Sequence, residues 1–274
     1  YEDNRLDILN FLGFPPVEIE RARQRHAGEY IQYPAPLTYY FGFRISFPPF
    51  DDVRVRRAFG LAIDKESLAN LALRGLNSPA TGGLVPPGLP GHSPGIGLPF
   101  DPEQARQLLA EAGYPDGRGF PSVNAFRPSF LFPHTDYARS SWRENLGVEI
   151  AWQDVDFETL DDELLHGERP MLFAIGWVAD FYDPDYVLRV GVQEHQPGWR
   201  NETYDDLIEQ ARRVTEQTQR LVLYGRADRI LMRESVLIPM AYARSHRLVK
   251  PWVKRYPVSP FKPWFWKDVI IEPH

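Results

Sequence analysis

Between residues 136 and 177 the chain switches three times between two hydrophobic periods. A helical stretch at about 136–146 leads to the apolar run VEIAW (148–152), then to a helical stretch at about 157–165, then to MLFAIGW (171–177). Short apolar strands alternating with amphipathic helices bury their faces only by stacking helices on a sheet, so this order predicts an α/β layer. The second run ends in GWVADFYDPD (176–185), where Asp180, Asp183 and Asp185 crowd among Trp177, Phe181 and Tyr182. Carboxylates just past the carboxyl end of a buried strand lie where open α/β sheets place ligands.

The remaining elements fit the same layer. TYYFGFRIS (38–46) alternates and is aromatic-rich, a strand signal, and VLIPMAYARSHRLV (236–249) is a second apolar run. Asp52, Asp64 and Asp101 stand at helix-capping positions; the helices they open are expected over the 50s, over KESLANLALR (to Gly75) and over 102–112 (to Gly113). Pro102 after Asp101 and Gln104 three residues on strengthen that third start. Longer amphipathic helices are expected at about 203–217 and 219–233, and residues 1–30 read as helical pieces. Residues 76–100 are dominated by Gly and Pro and predict a long loop on the surface or along a cleft.

Composition narrows the function. With 274 residues, 43% of them hydrophobic, the chain can bury one large core or two smaller ones. Its net charge of −6 and the lack of a basic stripe argue against direct nucleic-acid binding. No apolar segment approaches the roughly 18–20 residues that span a bilayer, so no direct membrane span is expected. Zero cysteines exclude disulfides, thiolate metal sites and a thiol nucleophile.

Gly91-His92-Ser93-Pro94-Gly95 matches the nucleophile-elbow pattern, but PPGLPGHSPGIGLP supplies neither the strand before it nor the helix after it. The seven histidines are scattered, without an i, i+4 pair, and most are expected at the surface or in loops. The acidic run from Asp154 to Glu163 reads as a solvated helix start. Asp180, beside Trp177, Phe181 and Tyr182, is expected to be partly desolvated and suited to a cationic ligand group. Two alternatives remain open: Asp180 and Asp183 accepting backbone N–H bonds in the turn before Pro184, and Asp180 as one member of a glycosidase carboxylate pair whose second member the sequence does not mark.

Five segments taken together carry a resemblance: PPFDDVRVRRAFGLAIDKESL (48–68), FDPEQARQLLAEAGYPDG (100–117), GWVADFYDPD, NETYDDLIEQARRVT (201–215) and RLVLYGRADRILMRESVLIPM (220–240). In this order they strongly resemble the family 5 extracellular solute-binding proteins, the oligopeptide-, dipeptide- and nickel-binding components of ABC importers. LDILN (6–10) resembles the segment that precedes that family's hinge. The resemblance implies a type II periplasmic-binding-protein-like α/β lobe, and the chain matches only the C-terminal half of such a protein. It implies a first-lobe remnant at 1–35, a hinge strand at 36–45, the second ligand-binding lobe at 46–236, and a hinge strand with a return segment of the first lobe at 237–274.

The function so implied is binding, with no catalysis and no cofactor. The ligand is a peptide or other small organic molecule held against a missing N-terminal lobe and passed to an ABC permease outside the cytoplasm, the full-length protein being lipid-anchored. Residue by residue, Asp180 matches the aspartate that receives the ligand's α-ammonium and Trp177 a tryptophan of the same cleft. Phe181 and Tyr182 flank them, and TGGLVPPG resembles the cleft-side segment, which implies ligand contact through Gly82 and Gly83. Ala174 stands where oligopeptide binders have an arginine, and no histidine stands beside GWVADF to favour nickel. The alternative is a sensory module fused to a regulator; a hydrolase using Ser93 is third. The end segments, 1–35 and 250–274, are expected to expose apolar surface, and to be displaced or buried in a dimer.

Overall fold

The computed structural model describes residues 1–166, 170–258 and 266–274. In chain order the elements are β1 (Ile8–Asn10), α1 (Pro16–Arg25), β2 (Tyr30–Phe43), α2 (Val53–Leu61), α3 (Lys65–Ser67), β3 (Ser78–Pro79), α4 (Pro102–Glu111), β4 (Ala125–Pro128), α5 (Phe132–Leu146), β5 (Trp152–Val155), α6 (Phe157–Leu165), β6 (Leu172–Val178), α7 (Val192–His195), α8 (Glu202–Arg213), α9 (Gln217–Glu234), β7 (Leu237–Val249), β8 (Val253–Lys254) and β9 (Ile270–Ile271). A wide π turn, Leu68–Ala72, continues α3, and another, Tyr186–Gly191, opens α7.

One mixed sheet organises the chain, in the order β1-β7-β2-β6-β4-β5, with β3 on the side of β7. β2 runs antiparallel to both β6 and β7, whereas β4 is parallel to β5 and β6. Period-two alternation divides the side chains between two cores. Phe41, Phe43, Leu172 and Ala174 pack on one face with α2, α4 and α5. Tyr40, Phe173 and Ile175 pack on the other with α6, α8 and α9. Helices on both faces of the sheet make this the expected α/β layer.

β2 and β7 form a long ribbon that reaches beyond the two main cores. Their register shifts between Pro34 and Thr38, and past that shift Tyr30–Pro34 pair with Arg244–Leu248. There a third, small core of Phe11, Ile19, Leu76 and Leu248 joins β1 and α1 to the ribbon. The prolines sit where the ladder is interrupted, which is where a residue without an N–H costs least.

Several expectations change. The strand expected at 148–152 begins only at Trp152, because Val148 and Ile150 are buried in the connection from α5, and the pairing with β4 spans Trp152–Val155. KESLANLALR does not stay α-helical; it widens after Ser67 and ends at Arg74 and Gly75, both at positive φ. Residues 1–30 hold one strand as well as a helix, and they fold onto the ribbon rather than being displaced. Lys250 N donates to Asp7 O (2.9 Å) and Trp252 Nε1 to Asp7 Oδ1 (2.8 Å), so the start of the C-terminal segment packs there too; residues 259–265 of that segment lie outside the described residues. Leu12, 85% exposed, and Leu6, Phe14 and Val17 remain on the surface of that end.

Candidate ligand-binding turn after β6

β6 stays paired with β2 to its end, Trp177 opposite Thr38 and Val178 opposite Leu37. Ala179 N then donates to Pro36 O (2.7 Å), so the chain leaves the sheet at Asp180, beside the register shift of the ribbon. The site therefore lies where the small third core gives way to the two large ones.

Past Asp180 the turn is locked by charge. Arg220 of α9 donates to both oxygens of Asp183, whose Oδ1 also accepts from Asp185 N (2.9 Å). Asp185 accepts from Arg189 (2.6 and 2.9 Å) and from the Tyr224 hydroxyl (2.9 Å), and Arg220 also reaches that hydroxyl (3.1 Å). Burial, with the charge of Asp185 beside it, pushes the Tyr224 phenol well above its ordinary range. Pro184 is buried. Two of the three carboxylates are thus spent on holding the turn, as the turn-making alternative anticipated for Asp183.

Asp180 differs from them. It has no cationic partner among the described residues, and its one hydrogen bond comes from the Tyr186 hydroxyl to Oδ2 (2.8 Å). That bond, with smaller contributions from desolvation and charge, pushes the Tyr186 phenol up to about 12. The expected partial desolvation of Asp180 is not found: it is exposed, with Phe181 (63% exposed) and Tyr182 (60%) beside it. The aromatic neighbours stand next to the carboxylate in sequence without closing over it.

Trp177 lies half-buried under this turn. Its ring packs on Tyr186 (centroids 5.4 Å) and edge-on to His195 (5.2 Å). Gly191 leaves the room for it, since a Cβ there would stand 2.9 Å from the indole ring. Trp177 Nε1 is buried without a partner. Ala174 is wholly buried opposite Phe41, so position 174 does not reach the exposed turn.

Gly82 and Gly83 are both buried, in the loop that Thr38, opposite Trp177, joins by donating to Leu84 O (2.9 Å). Tyr242 donates to Gly83 O (2.6 Å), and a Cβ on Gly83 would collide with the Asp228 carboxylate. Their lack of side chains therefore serves the close approach of this loop to α9 and β7. Asp228, which no sequence motif singled out, is fully buried on α9. Its Oδ1 accepts from Leu84 N (2.8 Å) and its Oδ2 has no partner. Its signal was available: Tyr224, Ala227, Asp228, Leu231 and Met232 share one helical stripe, with a carboxylate among apolar neighbours.

The other candidates resolve into structural roles. Ser93 Oγ is 3.4 Å from Gly91 O, and His92 Nδ1 bonds Val85 O (2.7 Å), so the two are not paired with each other. Four of the seven histidines (His26, His92, His166 and His274) lie unburied in turns or loops, as expected of most, and three are buried. His195 bonds Tyr40, His246 bonds Tyr30 and Leu76 O, and His134 has both ring nitrogens unpartnered, with burial lowering its pKa to about 3. Asp154 pairs with Arg127 (2.8 Å) and Asp156 caps α6. Among the described residues no group of three or more ligating side chains gathers for a metal. Two surface recesses, one between α7 and α8 and one between 91–93 and α9, do not include Asp180.

The sequence profile of the bacterial extracellular solute-binding proteins, family 5 (middle), matches residues 4–196. The chain belongs to that family. The Escherichia coli protein named "Probable deoxycholate-binding periplasmic protein YgiS" is 30% identical over 100% of this chain and 53% of its own length. The periplasmic oligopeptide-binding protein OppA of Escherichia coli is 29% identical, over 93% of this chain and 48% of its own. The unliganded open form of the periplasmic murein tripeptide-binding protein MppA superposes with a TM-score of 0.83 at 26% identity, covering 100% of this chain and 55% of the other. The chain thus spans about half the length of the family members it matches, and its fold is that of a type II periplasmic binding protein in part. No helix among the described residues is long and apolar enough to cross a membrane.

Proposed function

We propose that this chain forms one wall of a peptide-binding cleft in the extracytoplasmic solute-binding component of an ABC importer, with Asp180 receiving the ligand's free α-ammonium. The observation that carries the reading is the division of labour in DFYDPD. Asp183 and Asp185 are ion-paired, whereas Asp180 is exposed, has no cation among the described residues, and is held by a single hydroxyl. An unpaired carboxylate among aromatic side chains suits a cationic group that brings an organic body with it.

The opposite wall would come from sequence outside this chain, and it would desolvate Asp180 on closure. The β2–β7 ribbon supports a hinge through residues 36–45 and 237–248, about which the lobe 46–236 turns. Val178, Phe181 and Tyr182 would supply apolar area to the trapped ligand. The reading includes no catalysis, no cofactor and no nucleic acid; the permease is the partner, and a lipid anchor outside this chain would hold the protein at the cell surface. No observation favours the regulatory-module alternative.

The test uses the natural protein, expressed from its entire coding sequence, with trialanine and N-acetyl-trialanine as calorimetric probes. Asp180→Asn should weaken trialanine by on the order of 2–5 kcal/mol, the loss that accompanies removal of one member of a buried charge pair. Unchanged trialanine affinity in that variant refutes the assignment.

A further inference from the structure

Asp180 stands on an exposed turn with one contact, so its carboxylate needs something to aim it. That contact, Tyr186, is itself held from three directions. Its backbone N bonds Asp183 O (3.3 Å), and it follows directly on Asp185, which Arg189 and Tyr224 fix. Its ring lies against both Trp177 (5.4 Å, 34° between planes) and Phe181 (5.2 Å, 72°). Trp177 is in turn seated over Gly191, where no side chain would fit without displacing the indole. The hydroxyl position is therefore set by the scaffold, and the carboxylate is placed by the hydroxyl.

We propose that Tyr186 is the positioning residue of this site, which fixes Asp180 by occupying Oδ2 and presents Oδ1 to the ligand's ammonium group. The proposal rests on the α-ammonium reading of Asp180 given above. An ionised carboxylate has about four acceptor directions over two oxygens. One phenolic donor consumes a direction on Oδ2 and leaves Oδ1 free. A ligand ammonium that meets a pre-aimed oxygen avoids the loss of rotamer freedom that a swinging aspartate would suffer on binding. The device raises the preference for a free amino terminus over a blocked one, because only the ammonium uses the aimed oxygen.

The test measures binding of trialanine and N-acetyl-trialanine to the natural protein, to Tyr186→Phe, to Asp180→Asn and to the double variant. Phenylalanine keeps the ring contacts with Trp177 and Phe181 and removes only the hydroxyl. The expected result is a roughly threefold to tenfold loss for trialanine in Tyr186→Phe, as for a lost charge-assisted hydrogen bond at a partly open site. N-acetyl-trialanine should be unaffected, and Tyr186→Phe should add nothing in the Asp180→Asn background. Equal losses for both peptides would mean that Tyr186 is merely structural and would overturn the proposal. So would a normal free-to-blocked ratio in Tyr186→Phe while Asp180→Asn weakens trialanine, an outcome that leaves the α-ammonium reading intact. If Asp180→Asn leaves trialanine binding unchanged, the reading and the proposal fail together.

Discussion

Replacing Asp228 by asparagine should flatten the pH dependence of this protein's stability. Asp228 is fully buried, one oxygen lacks a partner, and burial pushes the carboxyl up from its ordinary 3.8 to about 7, against the opposing pull of the Leu84 and Val85 amides and of Arg229. Below about pH 4 the group is neutral in both folded and unfolded chains and has no effect on the balance. Between about 4 and 7 the unfolded chain releases a proton that the folded chain keeps, so stability falls as pH rises; above about 7 the loss levels off. At 1.36 kcal/mol per pKa unit, the loss accumulated between pH 5 and pH 8 is about 2–3 kcal/mol. In Asp228→Asn the side-chain amide would keep an acceptor for Leu84 N and would not titrate. Urea denaturation of both proteins at pH 5, 6, 7 and 8 isolates this group, because the other titrations cancel in the difference. The asparagine variant should gain on the wild type by that 2–3 kcal/mol across the range. A difference that stays constant from pH 5 to pH 8 would show that the carboxylate ionises in the folded state as readily as a solvated one.

Two further substitutions test packing around the site. Gly191→Ala would place a Cβ 2.9 Å from the Trp177 ring, and the overpacking should cost about 1–3 kcal/mol, with a change in near-ultraviolet circular dichroism as the indole shifts; an unaltered melting temperature would contradict it. Arg56→Met should cost about 2–4 kcal/mol in denaturant titrations, because its guanidinium donates to the carbonyls of Phe50, Asp51, Glu234 and Ser235, joining the start of α2 to the end of α9. A surface-like loss below about 0.5 kcal/mol would mean that water replaces it.

What could be read in advance was largely local chemistry. Asp52, Asp64 and Asp101 cap helices as their positions suggested, each accepting a backbone N–H. α6 and α9 follow their apolar stripes closely. The ribbon was harder. The aromatic alternation marks a strand only from residue 38, yet β2 starts at Tyr30, because a register shift lets the ladder step past Pro34 and Pro36. VEIAW misled for a tertiary reason: Val148 and Ile150 are buried by helix packing without a strand partner, while the residues that pair are Trp152–Val155, the polar Gln153 and Asp154 among them. At the site, sequence could single out Asp180 among three carboxylates only through the family resemblance. It could not give the exposure of Asp180 or the hydroxyl bound to it, since Tyr186 reads as one more residue of the next helix until the turn is folded. Asp228, Lys65 and Arg56 share another signal, polar groups on buried helix faces, which periodicity marks but cannot partner.

The pairing of Gly42 with Leu237 has a practical side. The covalent chain between those two residues departs from the ribbon and returns to it at directly opposed positions, about 5 Å apart as in any sheet, while β6 and β3 within it stay hydrogen-bonded to β2 and β7. In topological terms the intervening chain is a cassette with a two-point plug. Two family members that share the ribbon could exchange this cassette through a pair of adjacent splice points, without a new linker at either end. Recognition could then be recombined wholesale while the strands that carry it stay in place.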